Sequence, residues 1–107
     1  MHVLFVHQNF PAQFGHVAAC LAPHNGFRCT FVSERPPGNA AGVERIQYRR
    51  GGGATAQTHF CSRSFENAVW HSVATVEALQ ARPDIRPDLI VAHSGFLSTV
   101  FLRELYD

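Results

Sequence analysis

The chain contains no lysine, so arginine alone carries its fixed positive charge. Its 9 basic residues stand against 8 acidic residues, and the formal net charge is only +1 at pH 7. A charge this small creates no strong field that would attract nucleic acid or anionic lipid. The sequence therefore predicts no nucleic-acid partner.

Cysteine is scarce, and long apolar runs are missing. The 3 cysteines are Cys20, Cys29 and Cys61, an odd number without C-x-x-C spacing, which argues against a disulfide framework or a zinc knuckle. The first apolar run, Val3–Val6, is too short for a secretion signal or a membrane span. We therefore expect a cytoplasmic protein with reduced thiols and no transmembrane segment.

The apolar residues that are present occur in short runs, in a chain of 107 residues with 46% hydrophobic content, which allows one modest core. Runs at 2–6, 27–32 and 89–92 are typical of strands covered on both faces of a parallel sheet. A weaker strand is predicted at 43–48. These runs predict a single α/β domain.

Residues at helical spacing separate the predicted strands. We predict helices from Phe14 to Leu21, from Ser62 to about Arg82, and after His93, where Ser94 is the candidate N-cap. The apolar stripe of the second helix consists of Phe65, Val69, Val73, Val76 and Leu79. We expect this stripe to face the core.

The element order β-α-β-β-α-β-α predicts a Rossmann-like open parallel sheet of about four strands in the order 3-2-1-4, because crossovers of this kind are right-handed. The fourth strand, Leu89–Ala92, then stands at an edge although its composition is that of an interior strand. Such edges invite pairing with another chain. We therefore infer a missing fifth strand, and we expect a homodimer or aggregation through residues 89–92 in its absence.

Ligands of open α/β sheets bind beyond the carboxyl ends of the strands, at the point where the strand order reverses. In the predicted order this point lies between strands one and four. The residues placed there are His7, Gln8, Asn9, His93, Ser94 and Gly95. Each histidine can instead hydrogen-bond a neighbouring loop, and the two amides can brace their own loop, so both interpretations stay open.

The glycine motifs of dinucleotide-binding and P-loop proteins are absent from the sequence. The Gly51–Gly53 triplet does not lie between a strand and a helix, and we interpret it as part of a flexible excursion. Arg45, Arg49 and Arg50 can reach a phosphate, but a solvated loop explains them equally well.

His59 and Cys61 are the nearest approach to a metal-ligand pair, but a structural zinc site needs about four ligands. We therefore predict neither a metal nor another cofactor. Cys20 and Cys29 fall on predicted apolar faces and are interpreted as small hydrophobic residues. Trp70, beside the main stripe, is interpreted as a core or interface residue.

The opening string LFVHQNFPAQF, from Leu4 to Phe14, resembles the start of a bacterial group of family-4, GT-B type glycosyltransferases. The resemblance continues in the same order along essentially the whole chain, through Thr58-His59, Phe65-Glu66, Ala68-Val69, Pro87-Asp88-Leu89-Ile90, His93, Gly95 and Phe101-Leu102. The chain departs from the group at Ala12, which replaces a common glycine, and at Leu97 and Ser98, which replace a glycine and an acidic residue.

This resemblance implies a retaining enzyme with two Rossmann-like domains that transfers a sugar from a nucleotide-sugar to a glycan or lipid-type acceptor without a metal. Residues 1–107 would be an incomplete N-terminal, acceptor-side domain, inactive without the donor-binding C-terminal domain. By matching position, the cleft would be lined by His7, Gln8, Asn9, His93 and Gly95. His93 would lie near the transferred sugar as the candidate catalytic residue, and the amides of the first loop near the donor phosphates.

A function of a different class also fits the same residues. A stand-alone flavodoxin-like or Rossmann-like module would bind a small anionic ligand or a partner protein without catalysis. The two hypotheses differ in whether the reading frame continues past Asp107 into a second α/β domain.

Overall fold

A computed structural model describes residues 1–24, 26–34, 40–93 and 99–106 of the chain. Its elements are, in chain order, β1 (His2–Val6), α1 (Phe14–Leu21), β2 (Arg28–Ser33), β3 (Val43–Gln47), α2 (Arg63–Gln80), β4 (Leu89–Ala92) and α3 (Leu102–Leu105). A short 3-10 turn, Phe60–Ser62, precedes α2. The boundaries of the strands, α1 and α2 lie close to the predicted ones.

The four strands form one parallel sheet in the order β3-β2-β1-β4, which confirms the predicted fold class and strand order. Phe5 in the middle of β1 pairs with Phe31 of β2 on one side and with Val91 of β4 on the other. Every residue of β1 is buried, because neighbouring strands and helices cover it on all sides.

Successive side chains of β1 point to opposite faces of the sheet, so the protein has a core layer on each face. On one face, Leu4 and Val6 belong to a cluster with Tyr48, Leu79 and Ile85. The other layer is aromatic and combines Val3, Phe5, Phe10, Ala18, Cys29 and Phe31. The helices on the two faces cover these layers.

The buried side of α2 differs from the predicted apolar stripe. The residues that α2 buries are His71, Ser72, Ala74, Thr75 and Leu79, so Leu79 alone of the predicted stripe is buried. Phe65 is 65% exposed and Val73 is also exposed. Val76 of the predicted stripe is partly buried and packs against the core cluster, and the hydroxyls of Ser72 and Thr75 donate to carbonyls one turn earlier in α2.

The two cysteines interpreted as small hydrophobic residues have different environments. Cys29 is buried in β2, and burial raises the pKa of its thiol. Cys20 is exposed, so the interpretation is wrong for this residue. The reason is that α1 turns its small residues Gly15 and Ala18 toward the sheet, which leaves Cys20 on the solvent side.

Strand β4 lies at the edge of the sheet, as predicted. Within the described residues it pairs with β1 alone, and Leu89 at its start is 48% exposed. A fifth strand and a homodimer through residues 89–92 stay predictions.

The apolar pattern predicts a longer last helix than the one observed. Within the described residues, α3 covers Leu102–Leu105. Its predicted N-cap, Ser94, lies outside the described residues. In the parts of the chain that the structure covers, no helix has both the length and the apolar character needed to cross a bilayer.

Candidate functional site

Two loops meet at the carboxyl ends of β1 and β4. His7 directly follows β1 and His93 directly follows β4, and the parallel pairing of Val6 with Ala92 sets the two histidines side by side. Their ring centroids are 5.9 Å apart, with the ring planes at 80°. The predicted proximity of the two imidazoles is confirmed, while their role in catalysis stays a prediction.

The His7 ring is buried and held in one orientation by its surroundings. Its Nδ1 accepts a hydrogen bond from the backbone N–H of Asn9 at 3.0 Å, and its edge meets the Phe14 ring at a centroid distance of 5.8 Å. Because Nδ1 is the acceptor, the neutral ring carries its proton on Nε2. Burial lowers the pKa of His7, and the nearby His93 lowers it further, so His7 is neutral at neutral pH.

The loop after β1 is anchored to the end of β2 through backbone hydrogen bonds. The N–H of His7 donates to the carbonyl of Val32, and the N–H of Glu34 donates to the carbonyl of Gln8, both at 3.1 Å. Within the described part of the chain, the side-chain amides of Gln8 and Asn9 form no hydrogen bond. The backbone therefore braces this loop, and both side-chain amides remain able to contact a ligand.

The last two predicted site residues, Ser94 and Gly95, lie outside the described residues, as do the departures from the family pattern at Leu97 and Ser98. The structure thus places four of the six candidates, and it brings His7 and His93 together.

Arg45 supports the first loop and does not project into solvent. Its guanidinium lies 3.8 Å from the centroid of the buried Phe10 ring and donates to Ser33 Oγ at 3.1 Å. Phe10 in turn meets Phe31 edge to face, with 4.8 Å between centroids. For Arg45, the hypotheses of a phosphate contact and of a solvated loop are therefore both replaced by a packing role.

A hollow of about 550 Å³ opens at the carboxyl ends of β2 and β3. The sequence indicated Arg49 and Arg50 as possible phosphate contacts but predicted no site here. The walls of the hollow are Glu34 after β2, residues 47–50 at the end of β3, residues 52–54 and Asn67 of α2. The hydrogen bond between Glu34 and Gln8 connects it to the loop after β1. Ligands of open α/β sheets bind beyond the carboxyl ends of the strands, and this hollow lies at that side of the sheet, away from the point between β1 and β4 where the strand order reverses.

The glycine triplet packs against α2, in contrast to the flexible excursion interpreted from the sequence. The backbone of Gly52 lies so close to Trp70 that a Cβ on Gly52 would be 2.7 Å from Cη2 of the indole. The N–H of Ala54 donates to Asn67 Oδ1 at 2.8 Å. Trp70 is half-buried beneath the glycines, which agrees with its interpretation as a packing residue.

We expect Gly52→Ala to lower the free energy of unfolding by about 1–3 kcal/mol, because the new methyl group overlaps the Trp70 ring. Urea unfolding measures the change. The matched control is Gly51→Ala, whose Cβ would lie at an ordinary 3.5 Å from Trp70. Both variants reduce the conformational entropy of the unfolded chain in the same way, because each replaces a glycine. Equal free energies of unfolding for the two variants would therefore contradict the packing explanation.

A buried tyrosine–histidine pair lies next to this hollow. The Tyr48 hydroxyl and His71 Nδ1 share a hydrogen bond at 2.8 Å, and the rings meet nearly at right angles. Burial raises the pKa of Tyr48 and lowers the pKa of His71, and the neighbouring Arg50 lowers the His71 pKa further. Both side chains of the pair are therefore uncharged at neutral pH.

We expect the protein to lose stability as the pH falls below 6.5. Burial lowers the pKa of His2, His7 and His71 from the usual 6.5. The unfolded chain then takes up protons before the folded chain does, so the free energy of unfolding falls as the pH drops through 6.5 toward the folded-state pKa values. Urea unfolding at pH 7.5 and 5.5 measures this loss.

The control for this pH effect uses two histidine variants. His71→Gln should reduce the loss of stability between pH 7.5 and 5.5, because it removes one of the buried imidazoles. His16→Gln, at an exposed position of α1, should leave the loss unchanged. Equal stability of the parent chain at both pH values would contradict the prediction.

His59 and Cys61, the pair nearest to metal-ligand spacing, interact with each other at the start of the 3-10 turn, where His59 is the N-cap. His59 Nδ1 accepts a hydrogen bond from the backbone N–H of Cys61 at 3.1 Å, at the start of the 3-10 turn. Across the described residues, no three His, Cys, Asp or Glu side chains gather into a group that could hold a metal ion.

Comparison with known proteins gives a match at the level of the family. The sequence model of the glycosyl transferase family 4 group matches residues 25–107, more than half of the chain. This range includes His93 and the hollow beyond β2 and β3, whereas the string from Leu4 to Phe14 precedes it. No curated protein and no solved structure matches the chain. On the extent of the family match, the chain belongs to the glycosyl transferase family 4 group.

Proposed function

We propose that this chain forms the acceptor-side wall of the cleft of a GT-B type, retaining glycosyltransferase. The enzyme transfers a sugar from a nucleotide-sugar to a hydroxyl of a glycan or lipid-type acceptor, and a second domain holds the donor. The observation that carries the proposal is the pair of imidazoles 5.9 Å apart at the carboxyl ends of β1 and β4, in a chain of this family.

The chemistry of the pair supports hydrogen bonding to the reacting sugar. His7 is neutral and its ring is oriented by Asn9, so it provides His93 with an uncharged, fixed neighbour. In the proposed cleft an N–H of His93 donates to the transferred sugar and positions its anomeric carbon. That carbon exchanges its bond to the donor phosphate for a bond to the acceptor oxygen, the acceptor hydroxyl gives its proton to the departing phosphate oxygen, and the nucleoside diphosphate leaves.

The side-chain amides of Gln8 and Asn9 have the next role in this proposal. They lie on the loop whose backbone is tied to β2, and they form no other hydrogen bond within the described residues. Amide N–H groups on an anchored loop are suited to the oxygens of a phosphate, whose negative charge increases as the donor bond breaks. The proposal keeps Ser94 and Gly95, which lie outside the described residues, as candidate ligand contacts.

The test is a transfer assay on the natural gene product that carries this chain. We expect it to release nucleoside diphosphate from one of a panel of nucleotide-sugars and to attach the sugar to an acceptor with the same anomeric configuration, read by NMR. Release with inversion would contradict the retaining mechanism. Binding of nucleotide-sugars without any turnover, over a panel of donors and acceptors, would favour the binding-module hypothesis.

A further inference from the structure

We propose that the hollow beyond β2 and β3 is a binding site for the anionic group, a phosphate or a carboxylate, of a small ligand. The inference does not depend on the proposed transferase activity. It rests on hydrogen-bond donors that converge on the hollow and on the charge that remains there after its internal ion pair has formed.

Arg49 differs from the other arginines near the sheet. Arg28 and Arg82 form ion pairs with Glu44 and Asp84, near the amino-terminal ends of β2 and β3. Within the described part of the chain, Arg49 has neither an ion pair nor a hydrogen bond, and it lines the hollow. An exposed guanidinium without a protein partner presents a planar set of N–H donors that fits phosphate and carboxylate oxygens.

The acidic residue of the hollow is already neutralised. Glu34 uses both carboxylate oxygens to accept from Arg50, one from Nε and the other from Nη2. This forked pair cancels the charge of Glu34 within the hollow, so the charge of Arg49 remains and favours an anion. It also holds the loop after β2 against the segment after β3.

Neutral donors complete the site. Asn67 Oδ1 accepts from Ala54 N–H at 2.8 Å, which fixes the amide plane and leaves Nδ2 as a donor. Over the described residues, the N–H groups of Gly52 and Gly53 have no partner either, and both glycines line the hollow. Successive backbone N–H groups of this kind are a common anion-binding feature of loops.

The glycine at position 53 keeps this space open. A Cβ there would lie 3.0 Å from Asn67 Oδ1 and 3.8 Å from Arg50 Nη1, so any side chain would crowd the fixed amide. A volume of about 550 Å³ is larger than one phosphate or carboxylate group needs and falls in the usual range for small-molecule sites. The ligand is therefore expected to carry its anionic group on a larger body.

The experiment is an NMR titration of the whole chain, labelled with ¹⁵N, at constant ionic strength. The probes are inorganic phosphate, acetate and, as the uncharged comparison, glucose. We expect saturable shifts of the backbone amides of Gly52, Gly53 and Ala54 and of the Asn67 side-chain amide with at least one anion, and none with glucose. Arg49→Gln should raise the Kd for the anion at least about tenfold, because it removes a hydrogen bond to a charged group.

Arg103→Gln is the matched control, because it removes an exposed arginine of α3 that lies outside the hollow. Its Kd should equal that of the parent chain. A second variant, Gly53→Val, should abolish the shifts while the rest of the spectrum stays folded. The proposal is overturned if the hollow's amides do not saturate with either anion, or if Arg49→Gln and Arg103→Gln bind the anion equally well. Neither result bears on sugar transfer at His93, which the assay of the gene product measures separately.

Discussion

Replacing His93 by alanine is expected to lower kcat/KM for sugar transfer by about 10²–10³-fold in the natural gene product that carries this chain, because a hydrogen-bond donor aimed at the reacting sugar is lost. His93 directly follows β4, and its ring lies 5.9 Å from that of His7. Initial rates of nucleoside diphosphate release at several donor concentrations measure the change. A loss confined to kcat indicates an interaction made in the transition state.

Two further variants make this result specific. His93→Gln retains an N–H donor and should recover part of the lost rate. His16→Ala removes an exposed imidazole of α1 that is not among the candidate site residues, and it should leave the rate unchanged. An alanine variant of His93 with the parent rate would contradict the proposed role of this residue.

Phe31→Ala is expected to lower the free energy of unfolding by about 3–5 kcal/mol, a large share of the stability of a domain of this size. Phe31 is 0% exposed in the middle of β2. Its ring stacks near Phe5 at 6.1 Å and meets Phe10 at 4.8 Å between centroids, so alanine would leave a cavity among aromatic rings. Urea or thermal unfolding followed by circular dichroism measures the loss.

The control for this substitution is Phe60→Ala, at a phenylalanine that is 74% exposed. We expect it to change the free energy of unfolding by less than about 0.5 kcal/mol. Similar unfolding midpoints for the two alanine variants would contradict the assignment of Phe31 to the core. Because Phe31 also supports Phe10 in the loop before α1, its loss should broaden the amide signals of that loop.

The strands and their order could be predicted because their signals are local. Continuous apolar runs such as Val3–Val6 identify buried parallel strands, and the right-handed crossover rule leaves few arrangements for the helices between them. Once β1 and β4 are parallel neighbours, the residues that follow them must lie at the same edge. The proximity of His7 and His93 follows from that register alone.

The orientation of α2 could not be predicted in the same way. Helical spacing identifies a stripe of apolar residues, but the residues that become buried depend on how the helix packs against the rest of the chain. Here α2 buries Ala74 and Thr75, and Phe65 is left exposed. Cys20 shows the same effect in α1, where Gly15 and Ala18 take the buried side.

The amino-acid sequence by itself determined the parallel sheet, the edge position of Leu89–Ala92 and the meeting of the loops after β1 and β4, because these depend on local pattern and chain connectivity. Only the tertiary structure decided that the glycine triplet packs on Trp70, that Asn67 binds Ala54, and that a hollow with a guanidinium at its wall opens beside them. These contacts join residues many positions apart, and their distances depend on how whole elements pack together.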